Sequence, residues 1–386
     1  MNLFEIDQTY VANTYARFPV EIVRGEGARV WDAEGKEYID LGTGIAVNTF
    51  GMCDKGWIEA VEEQLHRFQH TSNLYYSAPC ANLAKQLCLR TGMKKVFFCN
   101  SGAEANECAI KVARKYGTEQ KGADAYNILT LCNSFHGRTI TTLSATGQDS
   151  FHQLFTPMTK GFVYAPANDL EAVRKIANEI PLAAVMFEVV QGEGGVNPLT
   201  PEFVQGLVQL AKEKNLLLIA DEVQTGNGRT GELYGYMNYG FVPDVVTTAK
   251  GLGGGLPIGA CMLGERVEHI FSAGDNGSTF GGNPVACAGA LHILGRLDRA
   301  LLDGVKERSR LIFDVLQGKE GVVGVTGLGL MIGVETVKPA SEVIAKCQEN
   351  GVLVIKAKNK VRLLPSLNIP LDLLQKALEV LLDACK

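Results

Sequence analysis

The stretch KKVFFCNSGAEANECAIKVARKYG, Lys94 to Gly117, changes its hydrophobic period partway along. Its first seven residues, KKVFFCN, carry a short continuous apolar run that reads as a buried strand. From Ala103 onward Ala105, Ala109, Ile110 and Ala113 fall on one stripe at helical spacing, so AEANECAIKVARKYG reads as the helix that follows. The same unit recurs downstream. YNILTLCN (126–133), LAAVMFEVV (182–190), LLLIADEV (216–223) and DVVTTAK (244–250) are further runs of strand length. DLEAVRKIANEI (169–180) and PEFVQGLVQLAKEKN (201–215) lie between them with helical periodicity. This alternation predicts an α/β fold whose mostly parallel sheet is flanked by helices on both faces.

Outside that block the pattern differs. ARVWDAEGKEYIDLGTG (28–44) holds two short alternating stretches around Ala33 to Lys36 and reads as a hairpin. After about residue 285 a long helical stretch leads into VVGVTGLGLMIGVE, KPASEVIAKCQENG, VLVIKA, VRLLPS and a last helix. The expected division has residues 57–284 as a large domain. Residues 1–56 and 285–386 then form a smaller α+β domain. A chain of 386 residues is long enough for both.

Composition narrows the function. With 46% hydrophobic and 20% charged residues the chain reads as ordinary folded protein, and the net charge of −5 comes without a basic, aromatic-interleaved tract. Nucleic acid and anionic membrane are therefore poor partners, and a small molecule is the better expectation. The N-terminus MNLFEIDQTY has no apolar core of a signal peptide, and no apolar run reaches a membrane-spanning length; a cytoplasmic protein is expected. The ten cysteines form no CxxC pair and read as reduced, buried thiols. The six scattered histidines offer no metal-ligand spacing, so no metal is expected.

In open α/β sheets ligands bind beyond the carboxyl ends of the strands. Five strand ends in succession carry polar groups: Asn100-Ser101-Gly102-Ala103-Glu104, NSFHGRT (133–139), Glu188 with QGEGG, Asp221-Glu222, and Lys250. Small Gly102 and Ala103 at a helix start expose backbone N–H groups to an anion, though an ordinary N-cap by Ser101 reads equally well there. Asp221 follows LLLIA, and a carboxylate leaving a buried strand is costly unless it faces a cation. Lys250 follows VVTTA, and a lysine buried there needs a partner or a lowered pKa, which is how a nucleophilic amine arises; a solvated lysine before a glycine turn is the other reading.

Two nucleotide motifs are ruled out. GNGRTG (226–231) matches GxGxxG, but it does not follow directly on a strand, and ELYGYMNYG after it is no helix. In TTAKGLGGGLP (247–257) the lysine precedes the glycines, the reverse of a phosphate-binding P-loop. A phosphate-binding helix start, a buried acid and a buried lysine instead match pyridoxal 5′-phosphate (PLP). The lysine forms a Schiff base with the aldehyde, and the acid keeps the pyridine nitrogen protonated so that the ring acts as an electron sink.

The chain also resembles the class III, fold type I, PLP-dependent aminotransferases, and among them the acetylornithine subgroup. The resemblance is carried in order by IDLGTGIAVN, TSNLYY, FCNSGAEANE, SFHGRT, FEVVQGEGGV, IADEVQTGNGRTG, TTAKGLGGGLPIGA, GSTFGGNPVACA and VRLLPSLNI. It implies Lys250 as the Schiff-base lysine and Asp221 as the pyridine-nitrogen partner. Gln224 would bond the ring hydroxyl, with Val223 on one ring face and Phe135 on the other. Ser101, Gly102 and Ala103 would hold the phosphate, joined by Thr279 of a second subunit, which implies a homodimer. Arg138 would bind the substrate carboxylate, and Ser278 would line the substrate site. Glu193 would mask Arg362 for the amine donor and free it for 2-oxoglutarate. Glu188 is counted with the cofactor-binding residues, a purely structural role for it and for Arg229 being left open. The implied reaction moves the terminal amino group of N2-acetyl-L-ornithine to 2-oxoglutarate; ornithine, succinylornithine, N-acetyl-lysine and 4-aminobutyrate are rival donors. Two places depart from the family pattern: GMCDKG (51–56) replaces Gly-His-x-His-Pro, and Asn227 stands where an apolar residue is usual.

Overall fold

The computed structural model describes residues 1–386. Seven strands form the central sheet: β1 (Lys95–Cys99), β2 (Asn127–Leu131), β3 (Phe162–Ala165), β4 (Leu182–Phe187), β5 (Leu217–Asp221), β6 (Val245–Thr248) and β7 (Gly259–Leu263). Their order across the sheet is β1-β7-β6-β5-β4-β2-β3. Neighbours pair in parallel from β6 through β3, and only β7 runs against both its neighbours. The carboxyl ends of the other six strands therefore lie along one edge.

The apolar runs are continuous because both faces are covered. Leu217 and Ile219 of β5 join Ala184 and Met186 of β4 beneath the Gly102–Lys121 helix, which buries Ala109, Ile110 and Ala113 there. Leu218 and Ala220 point the other way, into a larger core with Val185, Phe187 and Val246. This is the period-two alternation of strands, and each fully buried Leu or Ile side chain contributes about 1.5–3 kcal/mol. The helix stripe and five of the strands stand where the sequence puts them. Strands β3 and β7 were not anticipated. The four residues of β3 are too few to show a period, and β7 is small-residue sequence directly behind a glycine run.

The hairpin is present, with Arg29–Asp32 paired to Glu37–Asp40 and Asp32 Oδ1 accepting the Glu34 and Lys36 amides in its turn. Val352–Leu353 adds to it in parallel at Ile39 and Asp40. Ile22–Glu26 pairs with Arg29–Asp32 and completes a four-stranded sheet, and a second one is built from Val322–Leu328, Met331–Thr336, Lys360–Leu363 and Ile355–Ala357. Residue 285, the expected division point, lies in the first turn of the Pro284–Arg296 helix, which packs against Lys55–Arg67 and Ala78–Thr91. No helix is long and apolar enough to cross a membrane.

Candidate active site

A cavity of about 590 Å³ opens at the carboxyl edge of the sheet. Ser101, Gly102 and Ala103 reach it after β1, Phe135 and Arg138 after β2, and Glu188 after β4. Asp221, Val223 and Gln224 reach it at β5, and Lys250 after β6. Residues spread over 150 positions meet because each crossover returns the chain to the same sheet edge.

Asp221 is 4% exposed and is held by three donors. Its Oδ2 accepts from Asn106 Nδ2 at 2.8 Å and pairs with His136 Nδ1 at 2.7 Å, and its Oδ1 accepts the Val223 amide at 3.1 Å. Asn106 also donates to the His136 carbonyl at 2.7 Å, so helix, loop and strand end are tied together. Neither Asn106 nor His136 had been singled out. The available signal was a polar residue, Asn106, inside a helix face otherwise made of Ala and Ile.

Lys250 is part-buried, and its backbone takes φ +45°, a left-handed conformation that side-chain-bearing residues rarely adopt. Burial lowers its amine to about 8, with Arg362 acting in the same direction against the opposing charges of Glu193, Asp221 and Glu188. A fraction of the amine is therefore neutral, and nucleophilic, near pH 7. Behind it Gly254 (φ +60°) and Gly255 (φ +127°) turn the chain back toward β7.

The Gly102–Lys121 helix begins with Ser101 as N-cap, its Oγ accepting the Glu104 amide at 3.2 Å. The Ala105 amide bonds the Ser101 carbonyl, leaving the first-turn amides of Gly102 and Ala103 without an intrachain acceptor. The cap and the anion site thus coexist. A Cβ on Gly102 would lie 2.6 Å from Val223 Cγ1, so glycine is what lets the helix start sit against Val223. Free amides at a helix start, an aromatic face at Phe135, a fixed buried carboxylate and a part-buried amine around one cavity fit the donor set PLP needs.

Around this centre, Glu188 accepts the Phe135 amide at 2.9 Å and the Gly192 amide at 3.2 Å, and burial pushes it up to about 7. Arg138 is exposed, its guanidinium 5.4 Å from the Phe135 ring centroid and 4.3 Å from that of Phe151. It makes no ion pair and lines the cavity. Arg362 donates to Glu193 Oε1 at 2.7 Å and to Gln224 Oε1 at 3.1 Å. Burial opposes ionisation of Glu193, but the Arg362 and Lys250 charges outweigh it and hold the carboxyl below its usual range. Ser278 accepts from Asn100 Nδ2 at 3.1 Å, whereas Thr279 is exposed and lines a different cavity, with Asn73 and Gly282. Tyr15 and Val47 also line the main cavity; Val47 lies within the IDLGTGIAVN motif without an assigned role, and Tyr15 belongs to no motif.

The segment GNGRTG is a turn held at Gly228 (φ +86°) and Gly231 (φ +84°), not a strand-to-helix phosphate loop. Within it Arg229 is buried and donates to the Leu330 and Pro365 carbonyls, and burial lowers it to about 9. Asn227 is also buried, bonding Thr248 Oγ1 and the Ala249 carbonyl. In GMCDKG, Asp54 caps the Lys55–Arg67 helix and pairs with Arg296. That loop borders Gly254 and Trp57 in a separate cavity of about 230 Å³.

Fold and site together define a PLP-dependent transaminase of fold type I. Residues 10–385 match the model of the aminotransferase class-III family, and the chain belongs to that family. It is 48% identical to an acetylornithine aminotransferase of Haemophilus ducreyi, over 98% of this chain and 96% of that one. A succinylornithine transaminase of Citrobacter koseri is 44% identical, over 96% and 94%. The ornithine aminotransferase of Toxoplasma gondii superposes with a TM-score of 0.94 at 33% identity, covering 99% of this chain and 94% of that one.

Proposed function

We propose that the chain transfers the terminal amino group of N2-acetyl-L-ornithine to 2-oxoglutarate, yielding N-acetyl-L-glutamate 5-semialdehyde and L-glutamate. The observation that carries the donor is the end-to-end likeness to the Haemophilus ducreyi acetylornithine aminotransferase. Succinylornithine is the second reading, favoured by the likeness to the Citrobacter koseri transaminase.

Bound PLP supplies an electron sink for negative charge at the substrate carbon. In this reading Lys250 Nζ would hold the cofactor at its aldehyde carbon, and the same amine would serve as the base that moves the proton of the substrate carbon. A lowered pKa suits that base work, which contributes about 10²- to 10⁴-fold. Asp221, kept in place by Asn106 and His136, holds the pyridine N–H. The free amides of Gly102 and Ala103, with Ser101, receive the phosphate. Val223 and Phe135 bracket the ring, and Gln224 orients its hydroxyl. Glu188 supports the Phe135 backbone. Arg138 takes the substrate α-carboxylate in a bidentate pair, and Ser278 lines the substrate site. Glu193 covers Arg362 while the amine donor is bound and leaves it for the distal carboxylate of 2-oxoglutarate. Thr279 serves the phosphate of a second copy of the chain, so the working unit is a homodimer.

The attachment is tested by borohydride treatment followed by peptide mass analysis, with the cofactor expected on Lys250; cofactor fixed elsewhere removes the reading. The donor is tested by kcat/KM for acetylornithine, succinylornithine, ornithine, N-acetyl-lysine and 4-aminobutyrate with 2-oxoglutarate. A clear preference for any but the first replaces the donor while leaving the reaction class intact.

A further inference from the structure

The left-handed backbone of Lys250 requires a constraint, because a residue with a Cβ enters that region only when its surroundings impose it. The one-turn 3-10 segment Lys250–Leu252 closes internally, with Leu252 N–H donating to the Ala249 carbonyl and Gly253 N–H to the Lys250 carbonyl. Three side chains from outside then bind its carbonyls in alternation. Asn227 Nδ2 donates to the Ala249 carbonyl at 3.2 Å, Thr49 Oγ1 to that of Gly251 at 2.7 Å, and Trp57 Nε1 to that of Gly253 at 3.1 Å. These donors come from three separate segments of the chain, and Asn227 also fixes Thr248 Oγ1 at 3.0 Å.

The glycines give the donors room. A Cβ on Gly251 would lie 2.8 Å from Thr49 Oγ1, and one on Gly254 would lie 3.1 Å from Trp57 Nε1. The first is closer than Cβ contacts come, and the second is tighter than most, with Ile293 Cδ1 nearer still at 2.4 Å. The glycine run thus does more than turn the chain: it admits two hydrogen-bond donors against the backbone that carries the lysine.

We propose that Asn227, Thr49 and Trp57 form a carbonyl clamp and act as positioning residues for Lys250. They hold its strained backbone so that Nζ stays in the cavity, and none of the three lines that cavity. The inference rests on Lys250 being the cofactor-binding lysine. Loss of one donor frees the loop to relax toward ordinary φ values, which misplaces the amine without touching substrate-binding groups.

The test compares Thr49→Val, Thr49→Ser and Trp57→Phe in the holoenzyme and in the apoprotein. Thr49→Val and Trp57→Phe are expected to lower kcat about fivefold, the rate equivalent of one ordinary hydrogen bond, with both KM values unchanged. The pH midpoint of the visible absorption band should shift, and in the apoprotein amide exchange at Leu252 and Gly253 should quicken. Thr49→Ser keeps the hydroxyl and should restore all three. Variants that lose thermal stability but keep kcat, pH midpoint and loop exchange overturn the clamp, as does a Thr49→Ser protein as impaired as Thr49→Val. Should Thr49→Val not fold, Trp57→Phe and Asn227→Gly, which retains the left-handed conformation, report the same quantities. Borohydride fixation in the wild type away from Lys250 would instead remove the reading on which the clamp rests.

Discussion

Arg362 donates to Glu193 Oε1 across 2.7 Å, and the two partners are unequally buried: 3% of the arginine side chain is exposed against 31% of the glutamate. The cation is fixed, on a strand and against Gln224, while the carboxylate has solvent to move into. An ion pair built this way can open on one side only. A dicarboxylate substrate that competes for Arg362 replaces a charge-assisted bond with one of the same kind.

Glu193→Gln keeps the shape and removes the charge paired with Arg362. The amine-donor half-reaction should lose about tenfold in kcat/KM, the equivalent of one bond to a charged group. The 2-oxoglutarate half-reaction should be unchanged or faster. Single-turnover absorbance measurements with each substrate alone separate the two, and equal losses in both would mean that Glu193 is not a switch.

Gly102→Ala tests the phosphate site. The new methyl would sit 2.6 Å from Val223 Cγ1 and 2.9 Å from Cγ2, so Val223 or the helix start must shift. Both line the cavity at the expected ring and phosphate positions. The apoprotein should bind PLP at least about tenfold more weakly, given the cost of overpacking, while its fold is retained. Fluorescence titration with the cofactor measures this, and an unchanged Kd would move the phosphate away from Gly102.

Much of this centre was legible because Asn100, Glu188, Asp221 and Lys250 each end an apolar run, as with VFFC before Asn100 and LLLIA before Asp221. Burial forces continuous hydrophobic sequence, and the first polar residue after it marks the sheet edge. The residues that support the centre left a weaker trace. Asn106 and His136 act on Asp221 from a helix and a loop, and Thr49 acts on Gly251 from 202 positions away. Such contacts depend on tertiary approach, which periodicity does not encode. The Glu193 and Arg362 pair was legible only through resemblance, since neither residue ends one of the buried runs.

The lowered amine of Lys250 has a consequence for stability. Its folded value is about 8 against 10.5 for the ordinary amine, so the unfolded chain holds the proton more tightly between those values. Below pH 8 folding carries the full cost of confining a charged lysine; the cost fades as pH rises from 8 to 10.5 and vanishes above. Lys250→Met apoprotein should therefore be more stable than wild-type apoprotein at pH 7, by about 1–3 kcal/mol. The gap should narrow through pH 10. Urea unfolding at the two pH values measures it, and a less stable variant at pH 7 would show the lysine to be a paired, stabilising cation.

Thr279 provides the sharpest test of a shared site, because it is exposed and lies outside the cavity that holds Lys250 on its own chain. If it serves the phosphate of a second copy, Thr279→Asp sets a carboxylate against that phosphate and disables the neighbour's site by like-charge repulsion. Lys250→Ala disables the chain's own site. Neither variant alone should transaminate. In a hybrid dimer one site pairs both defects, while the other joins an intact Lys250 to the partner's intact Thr279. Random remixing gives half hybrids with one working site of two, so about a quarter of wild-type activity should return. Mixing the purified variants after mild dissociation and following glutamate formation measures this. If Thr279 served its own chain, every site in the hybrid would carry a defect and no activity would appear.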